Sequence, residues 1–364
     1  MVNERLINLF LEAGKIEALS TCEKPVAEYI ISFLSKLGFS PFEDKSAQYT
    51  SSDTGNVICK FGNGGNFLLS CHMDTARSTK GVKPILLSDR ITSDGSTVLG
   101  VDNRAGIAVL LYLAEKIKRE NIPVHDFTVA FLTCEETTLA GSRNLEIDDS
   151  IKYAFVFDSQ YRPGKFINSS YGAASFKIEI LGKAAHSGIA PEKGVNSFEI
   201  AVLALRDMKF GRLTPTSTFN IGRMEGGGAT NVVPDYLCLD GEFRSVDPVE
   251  VENNINNLKS RFENAAVKFG GQIKFDWFWD FKPFNVPSSS EAYKRIFDAI
   301  QNVGLSPEAV KSAGGSDANS YNERGIDAVN LGIGAQNPHG NDEFIFYEDF
   351  QNAFNIALEL VRIK

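Results

Sequence analysis

Several apolar runs along the chain stop abruptly at acidic or histidyl residues. Phe67 to Cys71 runs into His72-Met73-Asp74, Phe127 to Cys134 into Glu135-Glu136, Tyr153 to Phe157 into Asp158, and Ala328 to Ile333 is followed by Asn337-Pro338-His339-Gly340. Unbroken apolar runs of this kind mark strands buried on both faces of a parallel sheet. Helical spacing fills the intervals. Leu6, Ile7, Phe10, Ala13 and Ile16 share one face, a second helix is predicted from Pro25 to Gly38, another leads from Asp102 to about Glu120, and the last from about Tyr347 to Arg362. Val57 to Phe61 and Phe67 to Cys71 flank Gly62-Asn63-Gly64-Gly65-Asn66, which predicts a hairpin, and residues 81–98 read as irregular. Strands alternating with helices predict an α/β fold with a doubly wound, mostly parallel sheet, whose ligands bind beyond the carboxyl ends of the strands.

The pattern changes from about residue 174 to residue 282. Phe176, Ile178 and Ile180 alternate with Lys177 and Glu179, and Ile273, Phe275, Trp277 and Trp279 alternate likewise, as half-exposed antiparallel strands do. Helices are predicted at Val195 to Met208 and Val249 to Phe269. The expected organisation is a catalytic domain of residues 1–173 and 283–364 with an inserted α+β lid at 174–282, a four-stranded antiparallel sheet carrying two helices.

Composition narrows the function. A 364-residue chain with 43% hydrophobic content can bury a large core, and a net charge of -9 argues against nucleic acid or an anionic membrane as partner. No stretch approaches the roughly 20 apolar residues that span a bilayer. The N-terminal residues lack a signal-peptide core, and five scattered cysteines without a CxxC pair suggest reduced thiols in the cytoplasm.

Two of only four histidines, His72 and His339, sit just past strand ends among carboxylates, so His72, Asp102, Glu135, Glu136, Asp158 and His339 gather on one sheet edge. Mixed imidazole and carboxylate ligation suits zinc or a similar divalent ion. Two His and three acids exceed the needs of a single catalytic zinc. A carboxylate shared between two metals, with one His and one further acid on each, accounts for five ligands, and Glu135 is left over to take a proton from water. Asp74, two residues beyond His72 on the strand, is placed to hold its ring. The plain alternatives are a helix cap for Asp102 and solvated turn residues for the rest.

The segments SCHMDTA, TSDGSTVLGVDNRAGIA, TCEETTLAGS, FVFDSQ, AAHSG, GGSDAN and NPHG, in this order with a lid-sized insertion, resemble the co-catalytic zinc exopeptidases, the peptidase T-like tripeptidases above all. The resemblance implies two zinc ions, with cobalt or manganese as alternatives. It makes Asp102 the bridge, Glu136 and His339 the remaining ligands of one ion, and His72 and Asp158 those of the other. It assigns Asp74 to orient His72, Glu135 as general base and acid, and a cis peptide bond after Asp102. In the lid it makes His186 the oxyanion-stabilising histidine, and Asn231 and Arg244 ligands of substrate polar groups and the terminal carboxylate. Gly314 and Gly315 match a glycine turn near the substrate. Asn103-Arg104 stands where Asp-Lys is common, and Ser159-Gln160 where tripeptidase T has glycines.

The function expected is therefore a cytoplasmic zinc aminopeptidase that acts on short peptides, tripeptides foremost, and dimerises through its lid. The alternatives are a related zinc amidohydrolase or carboxypeptidase, a silent binding protein with the same fold, and a cysteine hydrolase using Cys71 or Cys134.

Overall fold

The computed structural model describes residues 3–363. It divides into two compact units, one formed by the chain up to Ser169 together with Asn285–Ser312 and everything from Ser316 onward, the other by Ser170–Phe284 with Ala313–Gly315. Gly314 and Gly315 thus belong with the inserted segment.

The larger unit is built on a nine-stranded sheet. Its strands run in the order Phe42–Glu43, Val57–Phe61, Phe127–Leu132, Phe67–His72, Tyr153–Ser159, Asp327–Gly332 and Lys165–Ser170, with two further short strands at the last edge. The four strands from Phe127–Leu132 to Asp327–Gly332 are mutually parallel, and their outer neighbours Val57–Phe61 and Lys165–Ser170 are antiparallel to them. At the end opposite the acidic residues, Phe61 stacks on Phe127 at 4.3 Å and Phe67 on Tyr153 at 5.5 Å, each pair in direct register. Those aromatic pairs fix the alignment of the strands that carry the site.

Two local expectations are corrected. Val57–Phe61 and Phe67–His72 do not form a hairpin, because Phe127–Leu132 lies between them. The glycine loop instead wraps the entry to that strand: a side chain at Gly65 would collide with the Asp126 carbonyl at 1.8 Å. Residues 81–98 are not irregular either. Pro84–Leu86 and Arg90–Ser93 pair with each other, and Phe344–Phe346 joins them in a separate three-stranded sheet.

The helix Val101–Glu120 is buried over most of its length against the strands of His72 and Asp158. Gly106 permits the approach, since a Cβ there would meet the Phe157 carbonyl at 2.7 Å and the Cys71 side chain at 2.8 Å. The helices Glu4–Gly14 and Tyr347–Val361 complete this layer with buried apolar faces. Among the described residues no helix is long and apolar enough to cross a membrane.

The inserted unit has a five-stranded antiparallel sheet in the order Gly211–Thr214, Ser217–Gly226, Tyr236–Ser245, Gly172–Leu181 and Gln272–Phe281. The sheet has five strands where four were expected, and alternation marks only Gly172–Leu181 and Gln272–Phe281 among them. Helices Ser197–Leu205 and Pro248–Phe269 cover one face, around a core that includes Ile178, Ile200, Phe219, Leu239, Ile255 and Phe262.

Candidate two-metal site

The site is assembled where parallel strands end. His72 is the last residue of its strand and lies opposite Leu132, while Ser70 pairs with Val156, which brings Asp158 alongside His72. Asp102 comes down from the helix layer between them. Its backbone is not helical, with φ -85° and ψ 102°, the N-cap position is Gly100, and the Asp102–Asn103 peptide bond is cis. The cap bond is made by the next residue, whose Asn103 Oδ1 accepts Gly106 N–H at 3.0 Å, so the Asp102 carboxylate does not cap the helix.

The carboxylate of Asp102 faces two ways. Oδ1 lies 2.9 Å from His72 Nε2 and Oδ2 lies 3.3 Å from His339 Nε2. Asp158 Oδ1 is 3.2 Å from His72 Nε2, and Glu136 Oε1 is 3.1 Å from His339 Nε2. The donors form two sets that share Asp102, His72–Asp102–Asp158 and Asp102–Glu136–His339, and a third of His72, Glu135 and Glu136, each with its ligand atoms within 4.8 Å of one another. An imidazole and carboxylates around a shared carboxylate suit a pair of divalent ions of the zinc type.

Charge in the site supports the same fit. Burial pushes Glu135 well above the carboxylate range, with Asp158, Asp317 and Glu136 adding repulsion, and burial also raises Glu136 and Asp158. Burial opposes protonation of His72, yet Asp102, Asp158 and Asp74 outweigh it and hold that imidazole well above its ordinary value. Hydrogen bonds to Asp102 and Glu136 raise His339 to about 10. So many acids around two imidazoles retain protons unless cations replace them.

Around the ligands lies a layer of fixed partners. His72 Nδ1–H donates to the Asp74 carbonyl oxygen at 3.1 Å, which leaves Nε2 to the ligand side. The Asp74 carboxylate, 3.4 Å from the same nitrogen, accepts the backbone N–H of Glu135 at 3.1 Å, that of Glu136 at 3.2 Å, and the Ser20 hydroxyl at 2.6 Å. Asn103 and Asn330 donate to the two oxygens of Asp158 at 3.3 and 3.2 Å. Buried Glu343 accepts the N–H groups of Gly100 and Asp102 at 2.7 and 3.0 Å. Asn330, Glu343 and Ser20 escaped the sequence reading. Asn330 left a trace there as a polar residue inside an apolar run, whereas Glu343, one acid in a polar stretch, left none.

In the inserted unit, the Nδ1 of exposed His186 accepts two backbone N–H groups, from Gly188 and Ile189, each at 3.2 Å. The proton of the neutral ring is therefore on Nε2, which remains a donor. Asn231 is its neighbour, with Ser187 N–H bonded to the Asn231 carbonyl at 3.0 Å and His186 bridged to Val232. Arg244 pairs side-on with Glu242, both contacts at 3.0 Å, and donates to the Ala313 carbonyl at 2.9 Å. Next to Ala313, Gly314 accepts from Ser170, and Gly315 lies against the Phe281 ring, where a Cβ would stand 2.6 Å away. His72, Asp74, Asp102, Glu135, Glu136, Asp158 and His339 are gathered in one unit, and His186, Asn231, Arg244, Gly314 and Gly315 belong to the other.

Comparison with known proteins places these features in context. Residues 168–270 match a peptidase dimerisation domain of the M20 type, and residues 56–201 match peptidase family M28. An aminopeptidase PepT from Bacillus cereus is 31% identical, covers 99% of this chain and 98% of its own, and superimposes with a TM-score of 0.92. A tripeptidase from Staphylococcus aureus is 29% identical over 99% of this chain and 98% of its own, with a TM-score of 0.93. The protein YqjE of Bacillus subtilis is 31% identical over 99% of both sequences.

Proposed function

The chain belongs to the peptidase T-like branch of the M20 peptidases, and from that premise we propose that it is a two-metal aminopeptidase removing the N-terminal residue of short peptides, tripeptides foremost. The observation that carries this reading is the Asp102 carboxylate, turned to His72 on one side and His339 on the other, with Glu135 beside both sets. His72, Asp102 and Asp158 would hold one ion, and Asp102, Glu136 and His339 the other. Zinc fits the mixed donors best, with cobalt or manganese as substitutes.

Bound metal supplies Lewis-acid polarisation of the scissile carbonyl and a water of lowered pKa. Glu135 does the proton work: its carboxylate removes a proton from the attacking water and delivers it to the departing amine. Asp74 fixes the turn that carries Glu135 and the ring of His72. The Nε2–H of His186 donates to the oxygen on which negative charge develops, and Arg244 and Asn231 bind the substrate's polar groups.

A thiol mechanism is disfavoured. Burial raises Cys71 far above the thiol range and pushes Cys134 up to about 12, so neither supplies thiolate near neutral pH. All five cysteines are free, which suits a reducing, cytoplasmic setting, and the dimerisation-domain match supports a homodimer through the lid.

The test is hydrolysis of trialanine, N-acetyl-trialanine and a set of dipeptides before and after chelation. Release of the first residue from the free tripeptide alone, abolished by chelator and restored by zinc, is expected. Equal cleavage of the acetylated peptide would sink the aminopeptidase reading, and chelator-resistant cleavage the metal one.

A further inference from the structure

Glu343 stands apart from every ligand set, yet it connects the two elements that meet in one of them. Its side chain is buried, with 1% of its surface exposed, and the cation close enough to feel its charge is buried Arg104. Both oxygens are used on main chain: Oε2 takes Gly100 N–H at 2.7 Å and Oε1 takes Asp102 N–H at 3.0 Å. When the carboxyl is ionised, the bonds it accepts from two backbone donors are among the stronger protein hydrogen bonds. It holds the non-helical turn from which the bridging Asp102 projects.

The other end of Glu343 is anchored in the loop that presents His339. Gln336 and Phe344 close the base of that loop by bonding to each other at 2.9 and 3.1 Å, and Glu343 N–H reaches the Gly340 carbonyl at 3.2 Å. The Glu343 carbonyl accepts the Thr92 hydroxyl at 3.3 Å and Ser93 N–H at 3.4 Å, so the residue is pinned to the strand Arg90–Ser93. His339 itself sits at the loop tip with φ +64° and is half exposed, with its ring held at Asp102 and Glu136. His72 and Asp158 need no such support, because each is carried by a central strand of the sheet.

We propose that Glu343 is a positioning residue that sets the spacing between Asp102 and His339, so that the ion held by Asp102, Glu136 and His339, two of whose ligands it spaces, depends on it, while the ion at His72, Asp102 and Asp158, which keeps two ligands on central strands, depends on it little. The proposal rests on the two-metal reading above. Glu343→Gln keeps the shape of the side chain but sets an amide donor against a backbone donor, so one of the two N–H groups loses its acceptor. Loss of such an outer partner weakens metal binding about 10–100-fold.

The experiment is a zinc titration of the metal-free full-length chain, wild type against Glu343→Gln, with the thermal melt of both metal-free forms recorded alongside. Wild type should take two ions, and the variant one with unchanged affinity and one about 10–100-fold weaker, at a similar apo melting temperature. Two wild-type affinities in the variant, or equal weakening of both, would overturn the proposal and leave the two-metal reading standing. A wild-type chain that binds fewer than two ions would overturn that reading and the proposal with it. Should the Gln variant fold poorly, Glu343→Asp, which shortens the reach to the same donors, must weaken the same single ion; unchanged binding there overturns the proposal equally.

Discussion

The carboxylate of Asp74 accepts the backbone N–H of Glu135 at 3.1 Å, while the carbonyl of the same residue takes the proton of His72 Nδ1. One residue therefore orients a candidate ligand and the candidate proton carrier together. Its second oxygen also holds Glu136 N–H and the Ser20 hydroxyl. Asp74→Asn removes one acceptor and adds a donor facing backbone N–H groups. Zinc affinity should fall about 10–100-fold, the range seen when outer partners of ligands are lost, and kcat should fall beyond what added zinc restores. Calorimetric zinc titration and kinetics at saturating zinc separate the two effects; wild-type values in both would refute the role.

Glu135 is within reach of the ligand cluster but is not needed to complete either shared-carboxylate set. Glu135→Gln keeps its shape and deletes its basicity. The expected result is a drop in kcat of about 10²–10⁴-fold, the usual range for a general base, with two zinc ions still bound. Full activity with both ions present would show that the proton leaves by another route.

How much of this was legible beforehand depended on whether the determinant was local. Continuous apolar runs ending at His72, Glu135, Asp158 and His339 mark buried parallel strands, and the edge they form follows from that topology alone. The pairing partner of a strand is not local. Val57–Phe61 and Phe67–His72 are separated by the strand Phe127–Leu132, which begins 60 residues after Phe67 (127 − 67) and pairs its Phe131 with Val57, a relation that no turn motif at Gly62 to Asn66 could reveal. The side-chain roles divide in the same way. Asp74 was readable as a partner of His72 from its spacing, but its carboxylate serves Glu135 and Glu136, a relation across two strand ends. Glu343 holds Asp102 across 241 residues of sequence by accepting main-chain N–H groups, an arrangement that places no demand on neighbouring residues and so leaves no pattern.

Metal-free protein should lose stability as pH rises. His339 is raised to about 10 from 6.5 by Asp102 and Glu136, so its contribution is complete below about pH 6.5 and vanishes as pH passes through about 10. Burial raises Glu135, Glu136 and Asp158 above the carboxylate range, and Glu343 to about 7. A raised acid binds its proton more tightly in the folded chain, so its ionisation on going to higher pH opposes folding as well. Chelated protein should accordingly melt at progressively lower temperature from near pH 6 toward about pH 10, and zinc-loaded protein should show a much flatter profile. Zinc uptake at neutral pH should release protons, measurable in buffers of different ionisation enthalpy. A chelated form whose melting temperature rises over this interval would contradict the assignment.

His186 provides a test in the other unit. With two backbone N–H groups on Nδ1, its ring offers a donor at Nε2 without any change of tautomer. Replacing it by Ala should lower kcat about 10²–10³-fold, the effect of losing one oxyanion donor, with zinc content and KM little altered. Gln, which retains an N–H donor, should recover part of the loss. A variant that changed KM alone would move His186 from transition-state stabilisation to ground-state binding.

Arg244 is already committed on one edge, since its Nε and Nη2 groups grip Glu242 and Nη1 reaches the Ala313 carbonyl. A guanidinium has five N–H donors, so a substrate carboxylate would meet the remaining ones on the terminal nitrogens while Glu242 keeps the plane fixed. This differs from a free fork closing on substrate, and it makes a sharper demand. Arg244→Lys loses both the plane and the second donor, and one charge-assisted hydrogen bond is worth about 1.5–3 kcal/mol, so KM for trialanine should rise roughly 10–100-fold with a smaller change in kcat. The C-terminal amide of the same peptide, which offers no carboxylate, should be affected much less. If both substrates weaken equally, Arg244 holds the lid together and does not read the peptide's end.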